Sequence, residues 1–336
     1  MTIPFIRSLC AAALMAFSAP MAFAQTACQG QNLIEAMPAD QREAMIAAAH
    51  AVPYPQGLIY SAEKDGRQVT LIGTYHLHDP RHQALIDKIT PRLDEAHALM
   101  VEAGPEEEAQ LRNALALDPS LAFITTGPTL PDILDESDWQ RLRAAAEARG
   151  MLAPVAAKMK PWMVTVTLAL SPCMMRDMQN GQRGLDHRII DMATERDLPI
   201  RALEPYDTVF SIFRDMPAED EKAMILTALS TEAHAEDYAV TLADAYFQAE
   251  PWLIWEFGLV DAKANSGLTE AEVTRQMTML EDRMMTSRNR AWLPRIADAA
   301  AEGPVVVAVG ALHLGGHDGL LDLLARDGWH LTRLDG

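Results

Sequence analysis

The chain has 336 residues, of which 22 % are charged and 49 % hydrophobic, and its formal net charge is −19 at pH 7. This length is enough for one large domain or two modest domains with a substantial core, and we expect one. For so acidic a surface we expect no nucleic-acid partner, because the phosphate backbone would be repelled.

The first 24 residues have the composition of a cleaved secretory signal peptide. Arg7 precedes an apolar segment over residues 9–17, and Ala22-Phe23-Ala24 is a small-x-small cleavage site before Gln25. No lipobox cysteine follows, which favours a periplasmic or secreted protein without a lipid anchor. Cleavage removes Arg7 and no acid, so the mature chain, residues 25–336, has 27 basic and 47 acidic residues, a net charge of −20.

Two cysteines, Cys28 and Cys173, remain in the mature chain. An oxidising compartment would allow a disulfide between them, and two buried free thiols are the alternative. The most apolar stretch of the mature chain is residues 162–171. It is too short for a bilayer, which needs about 20 residues, so we expect no stable membrane anchor.

In chain order, the pattern first predicts a helix over residues 31–51 and then strands over 58–62 and 69–73. Asp65-Gly66 between these strands is typical of a hairpin turn. Asp79 followed by Pro80 predicts that a helix begins a few residues later. A further apolar run, residues 98–101, predicts a third buried strand.

The second half of the chain is mostly helical in pattern. Residues 215–301 are rich in Met, Leu and Ala, and a strand over 305–309, a helix over 318–326 and a strand over 329–334 close the chain as a β-α-β unit. We therefore predict a single α/β domain over residues 25–336. It has a central mixed sheet flanked by helices, with a large helical insertion between the early strands and the C-terminal β-α-β unit.

Three of the predicted strands end next to polar side chains. The strands over 69–73 and 305–309 both lead into Gly-x-x-His, with the histidines at His76 and His313, and the strand over 98–101 ends on Glu102. Open α/β sheets bind their ligands beyond the carboxyl ends of the strands. We therefore expect these three side chains to share one cleft.

Two imidazoles and one carboxylate are the ligand set of several catalytic zinc sites. A divalent ion of the Zn, Mn or Co type held by His76, Glu102 and His313 would activate water for amide or ester hydrolysis. The metal-free alternative uses His76 or His313 as a general base with Glu102 orienting it. Arg288 could neutralise an oxyanion or a substrate carboxylate, and an ordinary surface ion pair is the alternative for it.

Several motifs together resemble the TraB/GumN family, which belongs with the Tiki proteins and, more distantly, with erythromycin esterases and ChaN haem-binding lipoproteins. The resemblance covers nearly the whole mature chain. The motifs are Leu71 to His76, the strand to Glu102, Lys160-Pro161-Trp162, Gly184-Leu185-Asp186, Leu203-Glu204, Arg288-Asn289-Arg290 and Val309 to Leu314.

The resemblance implies a metal-dependent protease or related hydrolase for the Tiki branch, with His76, Glu102 and His313 matching the motif residues. Arg288 would match a basic active-site residue of the esterases. A peptide or a small ester or amide is the substrate we expect. The competing hypothesis is a non-catalytic periplasmic protein that uses the same cleft to sequester a peptide, a metal or haem.

Overall fold

The computed structural model describes residues 28–336, so the predicted signal peptide lies outside the described residues. Six strands form one sheet in the order β4-β3-β5-β2-β1-β6. Their bounds are β1 Ile59–Lys64, β2 Arg67–Thr74, β3 Ala98–Val101, β4 Ile200–Ala202, β5 Val305–Gly310 and β6 His330–Arg333. The predicted α/β class with a mixed sheet is confirmed.

Four neighbouring strands run parallel, because β4 pairs with β3, β3 with β5 and β5 with β2 in that sense. Strand β1 is antiparallel to both β2 and β6. The turn between β1 and β2 has positive φ angles at Asp65 (50°) and Gly66 (77°), the conformation of a tight hairpin, as Asp-Gly predicts. The carboxyl ends of β4, β3, β5 and β2 therefore share one edge of the sheet.

Helices account for most of the remaining chain. In order they are α1 Leu33–Ala36, α2 Ala39–Ala49, α3 His82–Glu95, α4 Pro105–Leu117, α5 Leu130–Ile133, α6 Glu136–Ala148, α7 Ala153–Ala156, α8 Pro161–Leu168, α9 Pro172–Gln179, α10 Leu185–Glu195, α11 Thr208–Phe213, α12 Ala218–Ser230, α13 Ala235–Phe247, α14 Pro251–Asn265, α15 Glu270–Glu281, α16 Ser287–Glu302 and α17 Leu320–Arg326. A π-helical segment, Asp282–Thr286, joins α15 to α16.

Both faces of the central strands β3 and β5 are buried, which is why these two parallel strands are continuously apolar. On one face α16 and α17 pack against alternate strand residues, for example Trp292 and Leu321 beside Val307. On the other face α3 and α10 pack against the intervening strand residues, and Ile89 of α3 shares an apolar cluster with Val306 of β5. Successive residues of β5 thus point to opposite layers.

The predicted helical insertion lies between β3 and β5, and β4 divides it into two parts. The first part, residues 105–198, precedes β4, and the second, residues 208–302, follows it. Helices α5, α6, α8 and α12 from the two parts share one apolar cluster, and α2 and α14 share another. Insertion helices therefore flank the sheet and also pack against one another.

Cys28 and Cys173 form a disulfide with a Cα–Cα distance of 5.6 Å. This resolves the alternative that the sequence left open in favour of the disulfide. The bond joins the start of the described chain to α9. Within residues 28–336 no helix combines the length and the apolar character needed to cross a membrane.

Candidate active site

Each of the four parallel strands delivers a polar side chain to the shared carboxyl edge. Glu204 lies two residues after β4, Glu102 follows β3 directly, His313 lies three residues after β5, and His76 lies two residues after β2. The strand order brings these positions side by side. The edge is the place where open α/β sheets bind ligands.

The three residues that the sequence singled out converge on Gly310, the last residue of β5. A Cβ atom built on Gly310 would lie 3.2 Å from Nε2 of His76, 3.4 Å from Oε1 of Glu102 and 3.7 Å from Cδ2 of His313. A side chain at this position would therefore fill the space between them. The absence of one leaves a small gap into which all three groups face.

Glu102 is held as an anion. Its Oε1 accepts a hydrogen bond from the amide of Gly310 at 2.7 Å, and its Oε2 accepts one from Arg288 at 2.5 Å. Burial favours the neutral acid, but the nearby positive groups and the Gly310 amide outweigh it and lower the pKa of Glu102 to about 2. The carboxylate is negative over the whole physiological pH range.

Arg288 joins the two strand-end carboxylates. Its Nη2 donates to Glu102 and to Glu204, at 2.5 and 2.7 Å, and its Nε donates to the other oxygen of Glu204 at 2.9 Å. The indole N–H of Trp292 donates to Glu204 at 3.2 Å, and the guanidinium lies over the Trp292 ring. This arrangement holds the guanidinium in one orientation beside the gap.

His313 is buried and its tautomer is determined by Asn289. The Asn289 amide nitrogen donates to the carbonyls of His313 and Asp318, so its oxygen faces Nδ1 of His313, at 2.7 Å. Nδ1 must therefore carry the proton, and the lone pair is on Nε2. Burial lowers the pKa of His313 to about 3, with a further contribution from Arg288, whose Nη1 donates to Nε2 at 3.2 Å.

His76 differs from His313 in its exposure and in the direction in which its pKa is shifted. Its side chain is 61 % exposed at the opening of the gap, and Nδ1 lies 3.5 Å from Oδ1 of Asp186. The surrounding protein atoms oppose protonation, but the negative charges of Asp186 and Glu102 outweigh them and raise the pKa of His76 to about 9. Nε2 faces the gap, so the ring has the orientation of a general base backed by a carboxylate.

The donor atoms of His76, Glu102 and His313 are of the types that bind a divalent ion. The distances between them are larger than a bound ion allows. Nε2 of His313 and Oε1 of Glu102 are 3.8 Å apart, but the donors of all three residues do not lie within 4.8 Å of one another. Zinc bonds of about 2.0–2.2 Å require donors within roughly 4 Å. As the groups stand, His76 is too far from the other two to share an ion with them.

Within residues 28–336 a different group does have its donor atoms within 4.8 Å of one another, namely Cys28, Cys173 and Glu236. Its two sulfurs are bonded to each other in the disulfide, so neither is a thiolate ligand. This group is therefore a structural cross-link.

Three residues that complete the site had no role assigned from sequence, namely Asp186, Glu204 and Asn289. Glu204 follows β4 much as Glu102 follows β3. The inference that polar residues after parallel strands meet at one edge of the sheet could therefore have found it. Asp186 and Asn289 are helical residues that act on histidines 110 and 24 residues away in the chain. No local pattern signals such contacts.

Comparison with known proteins identifies the class to which this fold and site belong. The model of the TraB/PrgY/gumN family matches residues 58–333, a range that contains every residue of the site. The chain belongs to this family. It is 24 % identical over 258 residues to the protein YbaP of Escherichia coli (strain K12), which is described as uncharacterized; the match covers 77 % of this chain and 88 % of YbaP. YbaP of Shigella flexneri matches to the same extent.

Proposed function

We propose that this protein is a hydrolase of ester or amide bonds, with His76 as its general base. The observation that carries the proposal is the orientation of His76. One ring nitrogen is backed by Asp186, and the other faces a gap that Glu102 and His313 also face. A solvent-reachable imidazole with a carboxylate behind it is a recurring arrangement for proton transfer in hydrolysis.

The reaction would begin when neutral His76 accepts a proton from a water molecule at Nε2. The water oxygen then attacks the substrate carbonyl carbon, and the carbonyl π electrons move to the oxygen. The positive charge of Arg288 beside the gap stabilises this oxyanion. When the tetrahedral intermediate collapses, protonated His76 returns its proton to the departing alcohol or amine.

The second candidate is a metal-dependent hydrolase, in which His76, Glu102 and His313 would hold a divalent ion of the Zn, Mn or Co type. Such an ion would lower the pKa of its bound water and polarise the substrate carbonyl. The observation that favours it is the tautomer of His313, which leaves a lone pair on Nε2, 3.8 Å from Oε1 of Glu102. His76 would have to move closer, and Arg288 would have to release Nε2 of His313.

The test is hydrolysis of p-nitrophenyl acetate, p-nitrophenyl butyrate and a fluorogenic casein by the mature protein, with its metal content measured in parallel. Base catalysis predicts activity that survives exhaustive chelation and is lost in His76→Ala. A metal-dependent reaction predicts a bound ion and activity that chelation removes and added Zn, Mn or Co restores.

A matched control is His330→Ala, because His330 is an exposed histidine on the edge strand β6. It should retain full activity. If the wild type hydrolyses none of the substrates, the hydrolase proposal fails for these bond types. The non-catalytic alternative would then predict that the wild type retains a peptide, a metal or haem and that His76→Ala weakens this retention.

We also propose that the protein acts in the periplasm or outside the cell. The composition of residues 1–24 supports this location, as does the Cys28–Cys173 disulfide, a bond that forms and persists in oxidising compartments. N-terminal sequencing of the protein from a cell fraction tests the proposal. A mature N-terminus at Gln25 is expected, and an uncleaved chain in the cytoplasm would contradict it.

A further inference from the structure

A cavity of about 290 Å³ lies beside the candidate active site and shares two residues with it, Glu204 and Arg288. It is bounded by the segment after β4, by α11 and by one face of α16. Its walls are partly apolar, with Leu203, Ile212 and Trp292 among them. The ion pair of Glu204 and Arg288 is therefore a wall that the candidate active site and this cavity have in common.

Helix α16 presents a continuous face to the cavity. Ser287, Arg288, Ala291, Trp292 and Arg295 line it, a spacing that puts all five on one side of a helix. Arg295 lies seven residues beyond Arg288, which corresponds to roughly 10 Å along the helix axis at 1.5 Å per residue. The cavity thus extends from Arg288, at the edge of the candidate active site, to a second guanidinium.

The lining carries more positive charge than negative charge, in a chain that is strongly acidic overall. Three arginines and one carboxylate, Glu204, line the cavity. Arg283 donates to the backbone carbonyls of Ile212 and Arg214 and so holds the end of α11, and Arg288 is paired with Glu102 and Glu204.

Arg295 differs from the other arginines of its helix. Arg288 pairs with Glu204 and Arg290 pairs with Asp318, whereas no carboxylate between Cys28 and Gly336 pairs with Arg295. Arg295 is also exposed, so its guanidinium is available to a ligand that enters from solvent.

We propose that this cavity binds a carboxylate group of the substrate, with Arg295 as the residue that recognises it. A planar guanidinium matches a carboxylate in a two-point hydrogen-bonded pair, and the apolar wall would contact the chain between that carboxylate and the bond to be cleaved. The substrate is then an ester or amide that carries a carboxylate roughly 10 Å from the scissile bond. This assignment rests on the proposed hydrolase function.

The first test measures binding alone, by isothermal titration of the mature protein with octanoate and with its neutral analogue octanamide. Arg295→Gln should weaken octanoate binding about fivefold, the upper range for a solvent-exposed ion pair, and should leave octanamide binding unchanged. Arg295→Lys should retain only part of the affinity, because an ammonium group does not form the two-point pair, and Arg295→Glu should weaken octanoate binding more than Arg295→Gln does.

The matched control is Arg143→Gln, which removes the same charge from an exposed position on α6. It should bind octanoate as the wild type does. Equal octanoate binding by the wild type and Arg295→Gln would overturn the inference, and so would inorganic phosphate binding more tightly than octanoate at Arg295. Unchanged thermal unfolding of Arg295→Gln would exclude a folding defect as the cause.

The second test uses substrates, namely mono-p-nitrophenyl azelate, whose extended chain matches the predicted spacing, and the uncharged p-nitrophenyl nonanoate. Arg295→Gln should raise KM about fivefold for the charged ester, with kcat unchanged and the uncharged ester unaffected. Hydrolysis of both esters without dependence on Arg295 would overturn the inference and leave the hydrolase proposal standing. Arg295-dependent octanoate binding without hydrolysis of either ester would support the carboxylate site and contradict the hydrolase proposal.

Discussion

His76 and His313 face the same gap, yet the protein favours the charged form of one and the neutral form of the other. Asp186 and Glu102 raise the pKa of His76 to about 9, and burial lowers the pKa of His313 to about 3. Because environments that separate the pKa values of two groups often mark an acid–base pair, this difference supports a functional site. The role of base falls to His76 because of its exposure, since solvent and substrate can reach its ring and not the buried ring of His313.

The first prediction concerns the pH dependence of hydrolysis. His76 must be unprotonated to act as a base, so kcat/KM should rise about tenfold per pH unit below pH 9 and level off above it. Asp186→Asn removes a charge that stabilises protonated His76. The pKa of His76 should therefore fall, and the rising limb should move to lower pH.

The measurement is kcat/KM for p-nitrophenyl acetate at pH values from about 5 to about 10. Asp191→Asn is the matched control, since Asp191 lies on the same helix and pairs with the exposed Arg183. Identical profiles for the wild type and Asp186→Asn would contradict the role given to Asp186.

The second prediction concerns Asn289, which is 1 % exposed. Asn289→Ala leaves the Nδ1–H of buried His313 without its acceptor, so the free energy of unfolding should fall by about 1–3 kcal/mol. Urea denaturation measures this change. Asn113→Ala, at an exposed position on α4, should change stability by less than about 0.5 kcal/mol. A similar small change for Asn289→Ala would contradict the proposed hydrogen bond.

At the scale of secondary-structure elements, the start of α10 positions the segment that carries His76. The amide of Leu185 donates to the carbonyl of Tyr75 at 3.0 Å, and Tyr246 donates to the carbonyl of Gly73 at 2.8 Å. A Cβ on Gly184 would lie 2.2 Å from the carbonyl atoms of His76. Helix and strand end can approach this closely only because Gly184 has no side chain.

The third prediction therefore compares two glycines. Gly184→Ala should displace the His76 backbone, lower stability by about 1–3 kcal/mol and reduce hydrolysis. Gly258→Ala lies within α14, where an added Cβ meets nothing within 4 Å, so it should raise stability by about 0.5–1 kcal/mol. Thermal and urea unfolding of the two variants test this. Equal effects of the two substitutions would contradict the close packing at Gly184.

At the scale of the whole molecule, the disulfide links parts of the chain that are 145 residues apart. It ties the segment that leads to α1 onto α9. That segment also hydrogen-bonds to α13, where the amide of Gln31 donates to Asp237 and the amide of Leu33 donates to Thr241. The start of the described chain is therefore anchored to the insertion helices at several points.

The fourth prediction is that removing this cross-link destabilises the fold. Closing so long a loop restricts the unfolded chain, so Cys28→Ser with Cys173→Ser should lower the free energy of unfolding by about 2–4 kcal/mol. Urea denaturation with and without reductant measures the difference. The serine variant should not respond to reductant. An equal response by the wild type and the variant would show that the disulfide does not contribute.

The amino-acid sequence by itself determined the strands, the hairpin and the residues at the strand ends. The apolar runs, the Asp65-Gly66 turn and the two Gly-x-x-His endings are local signals, each read within a few residues. Glu102, His76 and His313 follow from them, because parallel strands place their carboxyl ends at one edge of a sheet.

Only the tertiary structure decided which groups surround those side chains. Asp186 behind His76, Asn289 against His313 and Arg288 between Glu102 and Glu204 are contacts between residues remote in sequence, which packing of α10 and α16 on the sheet brings together. The spacing of the three candidate ligands is likewise a product of packing. Local patterns encode elements and their ends, whereas distances between side chains depend on how the whole chain packs.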